Sequence, residues 1–341
     1  MSKLGIVIIG RNEGERLRRS LNAALGKGHH IVYVDSASTD GSVELAKEMG
    51  IDVVELDPSK PFASPRSRHE GFQHLIKVDP EIKYVQFIDG DCELISGWLE
   101  RGVSELDARS DIAVVSGRRR ERFPESSIYN RLADIEWDTP IGEVKYCHGD
   151  AMMRVAAYQQ VGGFNPGLIG GGEPELCVRF RREGWKILRV DCEMTWHDAD
   201  ITRFSQWWKR NIRVGHAYAE GSWLQGRSPQ RHWVKESRSI WFWGLVVPLI
   251  ALVLAWPTKG LSLLLLLGYP ILTYRIYCRT IQQRGLTSAD AFLFAWTCVV
   301  AKFPLVQGQL NFHLNRLIGR QTKLVEYKDV SQIERDPQVT P

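Results

Sequence analysis

From residue 4 onward, short runs that are apolar nearly throughout alternate with stretches of helical periodicity, and few folds accept that alternation. "LGIVIIG" reads as a strand, and "EGERLRRSLNAAL" follows with Leu17, Leu21, Ala24 and Leu25 on one helical face. "HIVYVD", "IDVVEL" and "YVQFID" repeat the strand pattern, separated by the helical stretches "SVELAKEM" and "PRSRHEGFQHLIKV". Strands apolar on both faces and joined by helices imply a parallel sheet covered on each side. Ligands bind such sheets at the carboxyl ends of the strands, where loops present polar groups without disturbing the core. Asp35, Asp89 and the loop after Ile9 all fall at these ends, so the candidate site lies there.

The 341 residues leave room for two dissimilar parts. Up to about residue 230 charge and apolar residues mix evenly, while 240 to 306 hold most of the long uncharged runs. A formal charge of +4 is too small to argue for nucleic acid, and none is expected as a partner. Six scattered cysteines form no CxxC pair and no His/Cys cluster, which argues against a zinc module and suits a reducing compartment. The apolar run at the N-terminus is too short for a signal peptide, so the front of the chain is expected in the cytoplasm.

"IWFWGLVVPLIALVLAW" and "LSLLLLLGYPILTYRIYC" are joined only by "PTKG" and predict a helical hairpin. A membrane helix needs about 17 to 25 mostly apolar residues, and both arms reach that range. Arg231, Lys235 and Arg238 precede the hairpin and Arg275, Arg279 and Arg284 follow it, so both outer ends are expected at the cytoplasmic face. A third run, "AFLFAWTCVVAKFPLV", is shorter, carries Lys302 and Pro304, and precedes basic Arg316, Arg320 and Lys323. It is therefore read as interfacial or re-entrant. The aromatic, basic stretch "RFSQWWKRNIRVGHAYAEGSW" before the hairpin fits either docking at a bilayer surface or packing on the rest of the chain.

Two carboxylates one residue apart, Asp89 and Asp91 in "FIDGDCE", repel unless a cation lies beside them. Mg²⁺ or Mn²⁺ takes such oxygen ligands and shares them with substrate phosphates. An acidic turn leading into a helix accounts for the same residues without a metal. In "VYVDSASTDGS", Asp35 either ends a βα turn or receives a nucleobase or ribose. "GGGEPELCVRF" predicts a helix start with Pro174 just inside and Glu173 and Glu175 at its positive end.

Several of these segments, in order, resemble the family 2 glycosyltransferases of the GT-A fold. "VIIGRNEGERLRRSL" resembles the family's opening strand and turn, and "VDSASTDGS" its second turn, with Ser36 where many members carry Asp. "SPRSRHEG" resembles the Arg-Asn-x-Gly segment, with Arg68 matched and His69 replacing Asn, and "DGD" the metal motif. "HGDAMMRVAAYQQVGGFNP" resembles the acceptor-side segment and "GGGEPELCVRFRREGWKI" the Glu-Asp segment that carries the base. The resemblance spans about residues 4 to 220. It implies an inverting transfer of one sugar from a nucleotide-diphosphate donor. Asp91, with Asp89 and His197, would hold Mg²⁺ or Mn²⁺. Arg11, Glu13, Asp35, Arg68 and Asp89 would contact the nucleotide sugar. Asp150 would bind acceptor hydroxyls. The base position falls on Glu173, with Gly172 where a Glu normally precedes it and Glu175 as rival. The broken Gln-x-x-Arg-Trp pattern, here Gln206-Trp-Trp-Lys-Arg, makes a processive polymerase unexpected.

The expectation is thus an α/β, GT-A catalytic domain over 1–225 and a basic linker over 226–239. A membrane-associated hairpin and interfacial helix follow over 240–310, then a basic tail over 311–341. Its substrates would be a nucleotide sugar and a glycan or lipid-linked acceptor at the cytoplasmic membrane face, with membrane lipids as further partners. A catalytically inactive membrane scaffold and a nucleotidyltransferase are the alternatives.

Overall fold

The computed structural model describes residues 4–26 and 29–320. They divide into two compact units, residues 4–123 with 136–200, and residues 124–135 with 201–320.

The first unit is built on a nine-stranded sheet ordered β3-β2-β1-β4-β8-β6-β9-β5, with β7 pairing β9. Its strands are β1 (Leu4–Gly10), β2 (His30–Asp35), β3 (Asp52–Glu55), β4 (Tyr84–Asp89), β5 (Cys92–Leu94), β6 (Ile112–Glu121), β7 (Gly142–Glu143), β8 (Ala151–Arg154) and β9 (Lys186–His197). The first three crossovers are α1 (Glu15–Ala24), α2 (Ser42–Glu48) and α3 (Ser64–Val78), and they leave β1 to β4 parallel as the alternation requires. Beyond β4 the sheet is mixed, because β8 runs antiparallel to both β4 and β6. Strands of two to four residues, such as β5, β7 and β8, are too short to show a period, so this half was not readable from pattern. Helices α4 (Trp98–Ala108), α6 (Val155–Gln160) and α7 (Gly172–Arg182) complete this unit, while most of α5 (Ile128–Trp137) falls in the second.

Successive strand residues point to opposite faces, and both faces here are covered. Ile6, Ile8, Leu17, Leu21, Tyr33 and Trp98 are buried on one side. Val7, Val34, Phe72, Phe87, Phe164 and Phe180 are buried on the other. Register along β1 sets Ile9 beside Asp89 on one flank and Gly10 beside Asp35 on the other, so both aspartates end at one level of the sheet.

The second unit contains α8 (Phe204–Gln225), α9 (Val234–Trp241), α10 (Val247–Val253), α11 (Gly268–Arg284), α12 (Ser288–Val300) and α13 (Lys302–Leu317). Its composition shift was expected to mark a boundary at 225, but the boundary falls at Asp200. The reason is a close helix crossing: a Cβ on Gly215 of α8 would lie 2.1 Å from the Leu305 carbonyl oxygen of α13. A Cβ on Gly308 would lie as close to the Ile212 carbonyl. Small residues let the two backbones meet, and α8 therefore belongs with α13. The stretch expected as a linker holds α9, whose Ser237 hydroxyl donates to Gln309 at 2.8 Å. Trp207 of α8 is buried, stacked near Tyr129 and Phe204, which favours packing over bilayer docking for that residue. Of the expected tail, residues 321–341 lie outside the described residues.

Among the described residues three helical stretches are long and apolar enough to cross a membrane: Val234–Val253, Leu261–Arg284 and Ser288–Leu317. The first two leave Leu252, Val253, Leu261 and Leu264 exposed, and Trp256 at the turn is 93% exposed.

Candidate active site

The carboxyl edge of β1, β2 and β4 is held by loops that bond to each other. Asn12, in the left-handed region at φ 54, accepts from the Thr39 amide at 2.7 Å and donates its own amide to Ser38 at 2.9 Å. Asn adopts that conformation more readily than most residues. Asp40 accepts from the Gly14 amide at 2.9 Å, and Asp35 accepts from Ser38 and from the Tyr33 hydroxyl. Asp35 is thus buried and orders the second loop, at the same sheet level as Asp89. Ser36, the departure from the family pattern, is buried with its hydroxyl 3.3 Å from that of Ser67. Arg11 lies over the Phe62 ring, and Glu13 pairs with Arg16 at 3.0 Å.

One guanidinium joins the two ends of the expected chemistry. Arg68 of α3 donates from Nη2 to Asp89 and from Nη1 to Glu173, each at 2.5 Å. Burial pulls its pKa down, but Asp89, Glu173 and Asp150 outweigh that and hold it above the ordinary value. Glu175 faces elsewhere: both of its oxygens are held by Arg179 of the same helix, with Nη2 at 2.7 Å. The side chain of Glu173 keeps 17% exposure against 4% for Glu175, so Glu173 is the more accessible of the pair.

Gly172 has a packing reason. A Cβ there would lie 2.5 Å from Cγ of Pro65, because the N-termini of α7 and α3 press together. Restoring a family-like acid with Gly172→Glu is therefore expected to destabilise the fold by about 1–3 kcal/mol, the usual cost of overpacking. A thermal melt unchanged from wild type would show that the contact yields.

Arg119 and Glu121, both on β6, were missed by sequence reasoning. Arg119 Nη2 bridges Asp150 at 2.8 Å and Asp89 at 3.3 Å, and its guanidinium lies over the Trp137 ring. Burial lowers its pKa, yet Asp150 and its acidic neighbours carry it well above the usual value. Asp150 has no exposed surface, and Thr195 holds its second oxygen at 2.8 Å. The Asp150 carboxylate, expected to meet an acceptor, is here buried between Arg119 and Thr195. The only signal for Arg119 was the basic run "GRRRERF", which reads equally as a solvated face.

Asp91 and His197 stand together, both buried. Antiparallel pairing of β5 with β9 sets Cys92 opposite His197, and His197 Nε2 lies 3.4 Å from Asp91 Oδ2. Asp91, Cys92 and His197 offer donor atoms within 4.8 Å of one another. A carboxylate oxygen and an imidazole nitrogen fit Mn²⁺ or Mg²⁺ chemistry. Complete burial pushes the Cys92 thiol well above its usual pKa, and a soft sulfur is a poorer match than oxygen or imidazole for Mg²⁺ or Mn²⁺. Asp89, expected to share the metal, has both oxygens on guanidinium groups of Arg68 and Arg119. Its charge is already offset there by those two groups.

A mixed sheet of this kind, opening at its carboxyl edge onto an acidic turn, is that of a GT-A glycosyltransferase, and this chain is such an enzyme. Residues 5–161 match the family model described as Glycosyl transferase family 2, and the chain carries that domain. It is 23% identical to glycosyltransferase AglE of Haloferax volcanii over 225 residues, covering 62% of this chain and 71% of that one. It is 29% identical to an uncharacterised glycosyltransferase of Mycobacterium tuberculosis over 189 residues, covering 53% and 79%. Among solved structures it resembles a mannosyltransferase from Pyrobaculum calidifontis in complex with GDP-Man and Mn²⁺. That match has TM-score 0.57 and 15% identity, covering 92% of this chain and 88% of that one.

Proposed function

We propose that the chain transfers a single sugar, with inversion, from a nucleotide-diphosphate donor to a glycan or lipid-linked acceptor at the cytoplasmic membrane face, in a reaction dependent on a divalent cation. The observation that carries this reading is the Asp89–Arg68–Glu173 bridge, which gathers donor-side and base-side carboxylates on one buried guanidinium. Asp91 and His197 would hold Mn²⁺ or Mg²⁺, which when bound supplies positive charge to the departing diphosphate. Asp35 and Glu13 line the edge where the nucleoside would sit, and Arg68 offers a guanidinium to phosphate or base. Glu173 takes the proton of the acceptor hydroxyl as that oxygen attacks the anomeric carbon. The inactive-scaffold reading loses its main support, since Gly172 answers a packing need. A donor panel scored by nucleotide diphosphate release, with and without chelator, tests the proposal. Release that ignores the chelator refutes the cation dependence, and no release from any donor refutes the transfer.

The first two apolar stretches form the membrane hairpin in this reading. The third does not span, despite its length. Its α13 half lies against α8, which carries Lys209, Arg210 and Arg213, and each such charge at mid-bilayer costs about 2.5–3.5 kcal/mol. The α12 half has 13 residues, too few at about 1.5 Å per residue to cross the hydrocarbon core. Replacing exposed Leu252 and Leu264 by Asp is expected to move most of the protein from the membrane to the soluble fraction on sedimentation. Retention equal to wild type would place the anchor elsewhere.

A further inference from the structure

His197 is gripped on both sides, and the cation reading assigns a task to only one of them. Its Nε2 faces Asp91 at 3.4 Å, while its Nδ1 faces Glu121 Oε2 at 3.5 Å. Strand register imposes this row. His197 is paired with Cys92 of β5 on one flank and with Glu121 of β6 on the other. Register shifts in β6 near Ser116 and Arg118 bring Glu121 level with His197. Trp137 packs against the imidazole with ring centroids 4.5 Å apart, which limits its room to turn. Glu121 is 1% exposed, and its carboxylate accepts from the amides of Phe123 and Ala199, which fix it in place. At 3.5 Å the contact is an approach of charge and not a formed hydrogen bond, and a fixed buried carboxylate there favours the proton on the facing nitrogen.

We infer that Glu121 is a positioning residue for the cation site: it holds the Nδ1 proton of His197 so that the Nε2 lone pair is directed toward the Asp91 carboxylate. The inference rests on the cation reading above and adds a residue that touches neither substrate nor cation. Carboxylates behind a ligating imidazole fix its tautomer and raise its basicity, and their loss commonly weakens metal binding about 10–100-fold. Glu121→Gln keeps the shape but only one oxygen, so either the Phe123 or the Ala199 amide, now bound by separate carboxylate oxygens, faces an NH₂ instead. Its new NH₂ donor favours the opposite tautomer, with a proton on Nε2 where a cation would bind.

The test is a Mn²⁺ titration of the full-length protein in detergent, followed by the electron paramagnetic resonance signal of free Mn²⁺, with UDP and with GDP in separate arms. Glu121→Gln is expected to weaken Mn²⁺ binding about 10–100-fold, beside a lowered melting temperature from the backbone amide it leaves unpaired. In a His197→Ala background the same change is expected to add nothing, because Glu121 acts only through that ring. Glu121→Asp, which keeps the charge but withdraws it by one methylene, is expected to fall between, and it serves if the Gln variant fails to fold. Wild-type affinity in both Glu121 variants, or an equal loss in the His197→Ala background, overturns the inference while leaving the cation site standing. Absence of Mn²⁺ binding by the wild-type protein in both arms overturns the cation reading itself, and the inference with it.

Discussion

Asp91→Asn is expected to lower Mn²⁺-dependent nucleotide diphosphate release on the order of 10²–10³-fold, equivalent to about 3–4 kcal/mol of transition-state stabilisation. The substitution is nearly isosteric, and the backbone bond from the Asp198 amide to the Asp91 carbonyl, at 3.0 Å, is untouched by it. What disappears is one negative charge facing the Nε2 edge of His197. A neutral amide oxygen is a poorer ligand for a hard dication, while the loops that seat the nucleoside do not depend on this side chain. The signature is therefore selective: cation-dependent turnover collapses, but nucleotide diphosphate affinity without cation and the melting temperature stay close to wild type. If Asp91 were only an acidic residue in a turn, turnover and its Mn²⁺ dependence would survive the change. Rates across a Mn²⁺ series, read beside a thermal melt, separate the two accounts.

Part of this site was readable because its determinants are local. Asp35 and Asp89 announce themselves as charges that close apolar runs, and a parallel sheet puts such residues at one edge whatever the details of packing. Glu173 was readable because a Pro and two acids mark a helix start. Arg119 and Glu121 were not, since "SGRRRERF" on β6 resembles a solvated basic run. Only its pairing with β9 and β8, strands far away in sequence, turns it into the floor of the site. The setting of Asp150 was hidden for a related reason. A strand-end aspartate looks alike whether it forms a wall or a floor, and only its burial beside Arg119 separates the two. The unit boundary was misplaced because composition changes at the hairpin while packing changes one helix earlier. An amphipathic helix such as α8 carries the same pattern whichever neighbour it covers.

The two glutamates of α7 should fail in opposite ways when neutralised. Glu173→Gln leaves α7 and its contact with Pro65 in place, and Arg68 keeps Asp89 as a partner at 2.5 Å. Donor binding should therefore hold within a few-fold, while the acceptor hydroxyl loses the group that takes its proton. General-base catalysis is worth about 10²–10⁴-fold, and kcat is expected to drop by that amount with little change in melting temperature. Glu175 shares its carboxylate with Arg179 across one helical turn, at 3.0 Å from Nε and 2.7 Å from Nη2, and it is almost fully buried. Removing one partner of a buried ion pair commonly costs about 3–5 kcal/mol, so Glu175→Gln should lower the melting temperature while leaving the kcat of the folded fraction near wild type. Measuring kcat per active site together with nucleotide affinity and melting temperature distinguishes these outcomes. A kcat loss confined to Glu175→Gln would mean that α7 turns during catalysis to present its other acid, and the Arg68 bridge would then be a resting contact broken before the sugar moves.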